Sequence, residues 1–234
     1  LQQRISLLVI FLITLLFISA CGKNTGDNGE YPYGHYKDDE MIGTVWEVNK
    51  NENSIVVDIS EWEKRDRKGP DMTDEGYTYT AKLTKETLIE REDGTLASID
   101  EIKKGQKVLV NPPRGNDFKG IANEIILLEM SYEEKYARLL SHIDGFNIVV
   151  MYKDGKTLPT EIQESVYENV MNILEGTEHR AVAAWVPYDE NYVLDYKEAL
   201  DIEQFPVVLV FNQEELLFKA YNVDDLYDFF KNFN

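Results

Sequence analysis

Asp201-Ile-Glu-Gln-Phe-Pro206-Val-Val-Leu-Val-Phe211 is the stretch on which the reading of the fold turns. The four residues Val207-Val-Leu-Val210 are an uninterrupted apolar run, as in a strand buried on both faces. Pro206 stands directly before that run, and an interior strand tolerates proline only at its first residue, where no ladder hydrogen bond is lost. Residues 216–221 turn back beside this strand through the polar residues 212–215. Working toward the N-terminus, Ala181-Val-Ala-Ala-Trp-Val186 and Asn147-Ile-Val-Val-Met-Tyr152 are two further strands. Helical spacing fills the gaps. Ser131-Tyr-Glu-Glu134 is a capping box that opens an apolar stripe of Tyr132, Tyr136, Leu139, Leu140 and Ile143, ended by Gly145. Residues 160–174 place Ile162, Val166, Val170 and Ile173 on one face, residues 192–200 form another helix, and residues 224–233 align Leu226, Phe229, Phe230 and Phe233.

That order, α-β-α-β-α-β-β-α over residues 130–234, resembles the thioredoxin fold. The resemblance is most specific at residues 201–211 and implies that the Phe205–Pro206 bond is cis and lies beside the loop Lys153-Asp-Gly-Lys-Thr-Leu-Pro159. It also marks a departure. Thioredoxins carry Cys-x-x-Cys where this chain has residues 153–159, and no cysteine stands there. Disulfide exchange and thiol peroxidase chemistry are therefore excluded for this domain. The family also binds extended peptides beside its cis-proline by backbone pairing, which makes Phe205 and Pro206 the peptide-contact candidates. The plainer alternative is that Pro206 only shapes the start of the strand.

Residues 41–129 have a different texture. Runs at 42–48 and 54–59 are strand-like and are joined by the polar turn Asn49-Lys-Asn-Glu-Asn53. Residues 77–83, 87–90, 106–110 and 121–128 add short runs, and Ser98-Ile-Asp-Glu101 is a capping box on a helical turn that stops at Gly105. Five or six short strands with one small helix suggest a compact barrel of OB type. Gly43-Thr-Val45, Ile55-Val-Val57 and Ile102-Lys-Lys-Gly-Gln-Lys-Val-Leu-Val110 resemble small OB-like domains of exported Gram-positive lipoproteins of unknown function. The charged stretch of residues 61–76 is expected as an exposed excursion. Its cluster Lys64-Arg65-Asp66-Arg67-Lys68 suits either anionic lipid headgroups and wall polymer or simple solvation.

At the N-terminus, Arg4 precedes the apolar run of residues 5–18. As a helix this run covers ~21 Å, short of the ~30 Å hydrocarbon core, so it reads as an export signal rather than a mature span. Ile18-Ser19-Ala20-Cys21 resembles the lipobox of bacterial lipoproteins, with Ile where Leu is usual. The resemblance implies a diacylglyceryl group on the Cys21 thiol, cleavage before Cys21, and attachment to the outer face of the cell membrane. The division expected is thus a signal peptide at 1–20, a flexible tether at 21–40, an OB-like β domain at 41–129 and a thioredoxin-like domain at 130–234. The fold class is α+β in two domains.

Composition narrows the function. A hydrophobic share of 43% and an aromatic share of 12% belong to folded protein. A formal charge of −19 repels phosphate backbones, so no nucleic acid partner is expected. Cys21 is the single cysteine, and lipidation leaves no free thiol and no disulfide. His35, His142 and His179 lack ligand spacing, so no metal is expected. Asp189-Glu190-Asn191 with Asp195 lacks the central Gly and terminal Glu of a calcium loop. No glycine-rich phosphate loop appears, and no cofactor is expected. The function expected is non-catalytic: a lipid-anchored binding or accessory module, with a peptide or cell-envelope component as partner. The alternatives are an enzyme of an unrecognised hydrolytic or redox class and a structural envelope protein.

Overall fold

The computed structural model describes residues 31–233 apart from Lys156 and Glu164. The chain is mixed α and β, with two sheets and six α-helices among the described residues. The first sheet has seven strands: β1 (Met41–Asn49), β2 (Ser54–Asp58), β3 (Thr78–Lys82), β4 (Leu88–Arg91), β5 (Lys107–Asn111), β6 (Lys119–Ile121) and β7 (Glu124–Leu127). Their order is β4-β7-β5-β1-β2-β3-β6. β1 to β3 form an antiparallel meander, and β5 returns antiparallel to β1. Residues 119–127 serve three neighbouring strands. Their first part, β6, runs parallel to β3, and their second part, β7, pairs antiparallel with β5 and parallel with β4. Alternate side chains of these strands, among them Val45, Ile55, Val57, Tyr79, Val108, Val110 and Ile125, meet in one core.

Residues 61–76 are more ordered than their charge suggests. A short helix α1 (Ser60–Glu63) buries Trp62 to 4% exposure, and a 3-10 turn follows at Gly69–Asp71. Trp62 also captures residues that the sequence assigns to the tether. Its Nε1 donates to the Lys37 carbonyl at 2.8 Å, the Tyr36 hydroxyl donates to Glu61 at 2.6 Å, and the Arg65 guanidinium meets Asp38 at 2.7 Å. Residues 31–40 therefore pack on the first sheet's core, where Tyr36 joins the cluster. A buried indole with a satisfied N–H is a stronger organiser than the local Gly and Asp content of this segment.

The second sheet holds β8 (Phe146–Tyr152), β9 (Ala181–Pro187), β10 (Val207–Phe211) and β11 (Leu216–Ala220) in the order β11-β10-β8-β9. β8 and β9 are parallel, while β10 lies antiparallel to both β8 and β11. The two central strands are covered on both sides, which explains their unbroken apolar sequences. Ile148, Val150, Val208 and Val210 face one core, together with α4 (Val166–Ile173) and α6 (Val223–Asn232). Val149, Met151, Val207, Leu209 and Phe211 face the other, where Tyr136 of α2 (Tyr132–Tyr136) and Tyr196 of α5 (Tyr196–Ala199) pack. Each such burial contributes ~1.5–3 kcal/mol. The remaining helix, α3 (Thr160–Gln163), precedes α4.

Three helices are shorter than their sequence spacing implies, each for a tertiary reason. The helix expected through Ile143 stops at Tyr136, because Asn147 Nδ2 takes the Leu139 carbonyl at 2.9 Å and the Ser141 amide bonds to the Asn212 carbonyl at 2.9 Å. The helix expected over 160–174 breaks at Ser165, whose φ of −127° is not helical. The helix expected over 192–200 begins only after Asp195. The Asp195 carboxylate accepts from the Lys197 and Glu198 amides, while Tyr192 and Val193 are drawn into a parallel bridge with Lys104. That bridge joins the two halves of the chain, with the Val193 amide on the Lys104 carbonyl at 2.7 Å. Lys107 and Glu134 add an ion pair at 2.5 Å across the same seam.

Candidate functional site

Phe205 and Pro206 sit at the start of β10, and the Phe205–Pro206 bond is cis, as the resemblance implies. A second cis bond, Asn111–Pro112, follows β5 and has no counterpart in the sequence expectations. Around Phe205 and Pro206 lies a cavity of about 400 Å³, walled by Tyr152, Lys153, Leu158, Pro159 and Lys197. The topology explains the juxtaposition. β8 and β10 are adjacent and antiparallel, with Met151 opposite Val207, so the end of β8 and the start of β10 share one rim of the sheet. Lys153, Leu158 and Pro159, from the loop after β8, line the same cavity as the cis-proline.

Two aromatic rings, Tyr152 and Phe205, line the cavity, and a third backs it. The Phe205 ring packs on Tyr188 with centroids 4.8 Å apart, and the Lys153 ammonium stands 5.6 Å from the Phe205 centroid. Tyr188 is held from both ends. Its amide donates to the Tyr152 carbonyl at 2.7 Å, and its hydroxyl donates to Asp195 at 3.0 Å. Burial, followed by that bond to the Asp195 carboxylate, pushes the Tyr188 phenol up to about 12. It therefore stays a neutral donor at physiological pH. Below the cis bond, the Glu203 amide donates to the Tyr221 hydroxyl at 2.9 Å. Lys219 bonds the carbonyls of Leu200, at 3.1 Å, and Asp201, which takes a left-handed φ of 49°. The segment leading into Pro206 is thus fixed by side chains from β11 and its end. Two ammonium groups, from Lys153 and Lys197, and one carboxylate, from Glu203, ring the apolar base. Such a slot suits an apolar side chain of an extended ligand, with polar groups at its rim.

The other sequence candidates are placed as follows. Cys21 and the whole of the signal and lipobox lie outside the described residues. His35 stacks on Tyr36 at 4.4 Å, and His179 packs among Phe146 and Phe233. Asp195 caps α5, and Asp189 accepts from the Asn191 amide at 2.9 Å. The basic cluster of the 61–76 segment is used internally. Lys64 is only 7% exposed and donates to the Thr73 carbonyl, Arg65 lies 4.0 Å over the Trp62 ring, and Arg67 donates to the Tyr77 hydroxyl at 2.7 Å. Those cations are committed to holding the loop against α1 and β3.

The sequence marked neither Lys197 as a wall of the cavity nor Tyr188 as the ring that backs Phe205. Neither lies within a motif: Tyr188 follows β9 and packs on Phe205, while Lys197 lies on α5 and lines the same cavity. Together the two sheets and this slot define an α+β protein with a preformed cavity at a sheet rim. No protein-family model matches the chain, and no curated protein matches it.

Proposed function

We propose that this protein is a lipid-anchored binding module of the extracytoplasmic membrane face, and that its thioredoxin-like half holds an extended peptide beside Pro206. The observation that carries the reading is the cis Phe205–Pro206 bond set against the 153–159 loop, with an aromatic-based cavity of about 400 Å³ between them. The sheet order β11-β10-β8-β9, with one parallel pair and two antiparallel neighbours, supports the thioredoxin-like assignment. For the first half, residues 119–127 pair with β3 at one end and with β5 at the other, which supports an OB-like barrel. The Ile18–Cys21 lipobox supports the anchor. With Cys21 as the single cysteine and assigned to the lipid, the slot is read as a holder and not a thiol catalyst.

The test is a fluorescence-anisotropy screen of a random decapeptide library against the wild type and Phe205→Ala. Saturable binding of a subset of peptides, weakened at least about tenfold by the substitution, is the expected result. Binding that is absent, or unchanged in the variant, overturns the peptide reading. The anchor is tested separately. Cys21→Ala should shift the protein out of the membrane fraction or leave an uncleaved precursor, and a wild type that takes up no fatty-acid label refutes it.

A further inference from the structure

A second site stands away from the Phe205 slot, where the two halves of the chain meet. Its centre is Trp46, which is 60% exposed, against 4% for Trp62 and 40% for Trp185. Val45 points into the core, so its strand neighbour Trp46 lies on the outward face. In the ladder between β1 and β2, Val45 pairs with Val57 and Glu47 with Val56, so Trp46 is the extra residue of a bulge. Bulges of this kind re-aim a side chain and recur beside functional sites. Here the bulge leaves Trp46 without a partner on β2 and keeps Glu47 exposed beside it. The Lys104 ammonium stands 5.4 Å from the indole centroid and holds it in place.

Beside Trp46 lies a cavity of about 620 Å³, within the ~300–1,000 Å³ range of small-molecule sites. Its polar lining is amide-rich: Asn49 and Asn51 come from the β1–β2 turn, and Asn191 with Asp189 from the loop after β9. The Asn191 amide bond to Asp189 fixes that loop at 2.9 Å. Charge is balanced locally although the chain carries −19. Lys50 and Asp100 pair at 2.8 Å, and Lys103 and Lys104 stand opposite Glu47 and Asp189. Such a site has no net field to concentrate an anion or a cation. A flat exposed indole with a ring of amide and carboxylate groups matches a neutral ligand that has one apolar face and a rim of hydroxyls. A pyranose ring has that form.

From these observations we propose that Trp46 and the inter-half cavity form a binding site for a neutral oligosaccharide, with the sugar stacked on the indole and its hydroxyls bonded by Asn49, Asn51, Asp189 and Asn191. The site is independent of the peptide slot and draws residues from both halves. The probes are chitotetraose and maltotetraose, with tetragalacturonate as the anionic control. They are titrated against the full chain by calorimetry and tryptophan fluorescence. Saturable binding of at least one neutral tetrasaccharide is expected, weakened about tenfold or more by Trp46→Ala and by Asn191→Ala, and unchanged by Trp185→Ala. Trp46 is exposed, so circular dichroism of Trp46→Ala should match the wild type. The proposal is overturned if neither neutral sugar binds up to about 10 mM. It is equally overturned if tetragalacturonate binds in their place, or if sugar binding survives Trp46→Ala.

Discussion

Gly105→Ala is expected to loosen the seam between the two halves, and the structure supplies the magnitude. Gly105 has a φ of +83°, and a Cβ built there meets Cε2 and Cζ of Tyr192 at 2.4 Å. A side chain in this left-handed region costs about 1–2 kcal/mol. Displacing the Tyr192 ring costs about 1–3 kcal/mol more, because the ring is stacked on Arg138 at 4.8 Å and on Tyr196 at 5.3 Å. The sum is about 2–5 kcal/mol. With a urea slope of about 2–3 kcal/mol/M for a chain of this size, the midpoint should fall by roughly 1–2 M. Equilibrium urea unfolding followed by far-UV circular dichroism reads the shift. A double-mutant cycle separates the two causes. In a Tyr192→Ala background the ring is gone, and Gly105→Ala should cost only the backbone contribution of about 1–2 kcal/mol. An equal loss in both backgrounds, or no loss in either, refutes the packing of Tyr192 against Gly105 and with it the seam as described.

Trp62→Ala should destabilise the first half by about 3–5 kcal/mol, since it empties a buried site and removes the donor to the Lys37 carbonyl. Trypsin should then cut after Lys37 faster than in the wild type, and an unchanged digestion pattern counts against the docking of residues 31–40. Alkaline pH should weaken the fold. The Tyr188 phenol is raised to about 12, and burial holds Tyr36 and Tyr196 above the ordinary tyrosine value as well. Unfolded phenols ionise near ~10, so above that pH the native state holds more protons and stability falls as pH rises toward ~12. Thermal midpoints recorded from about pH 9 to about pH 11.5 should show this decline, reduced in Tyr188→Phe. Acid should act at the seam. Although burial opposes it, the bond from Lys107 and the backbone of Ser131 hold the Glu134 carboxyl below its usual range. Its contribution is present above the ordinary glutamate value of ~4.3 and lost as pH falls below it, so Glu134→Gln should flatten that acid limb of the denaturation curve.

The α+β class, the change of texture near residue 130 and the strands of the second sheet were legible in the sequence. Val207 to Phe211 and residues 147–152 are strands whichever neighbours they find, because burial on both faces demands an unbroken apolar run. The cis bond before Val207 was legible through resemblance, with Pro206 standing where an interior strand admits a proline. The placing of Phe205 and Pro206 beside residues of the 153–159 loop was legible through the same resemblance.

The rest needed partners distant in sequence. Only the Lys104 carbonyl, from the first half, explains why Val193 leaves the helix that its spacing allows. Only Trp62 explains why the Gly- and Asp-rich residues 31–40 are held. Tyr188, which backs Phe205, lies 17 residues before it and reaches it because β9 and β10 flank β8. Trp46 reads as an ordinary outward residue of an alternating strand, and only the β2 ladder shows the slip that leaves it unpaired with Glu47 exposed beside it. Periodicity records which residues are buried along one element. Where a carbonyl finds its donor, and where a ladder gains a residue, is set between elements, so those features belong to the tertiary structure alone.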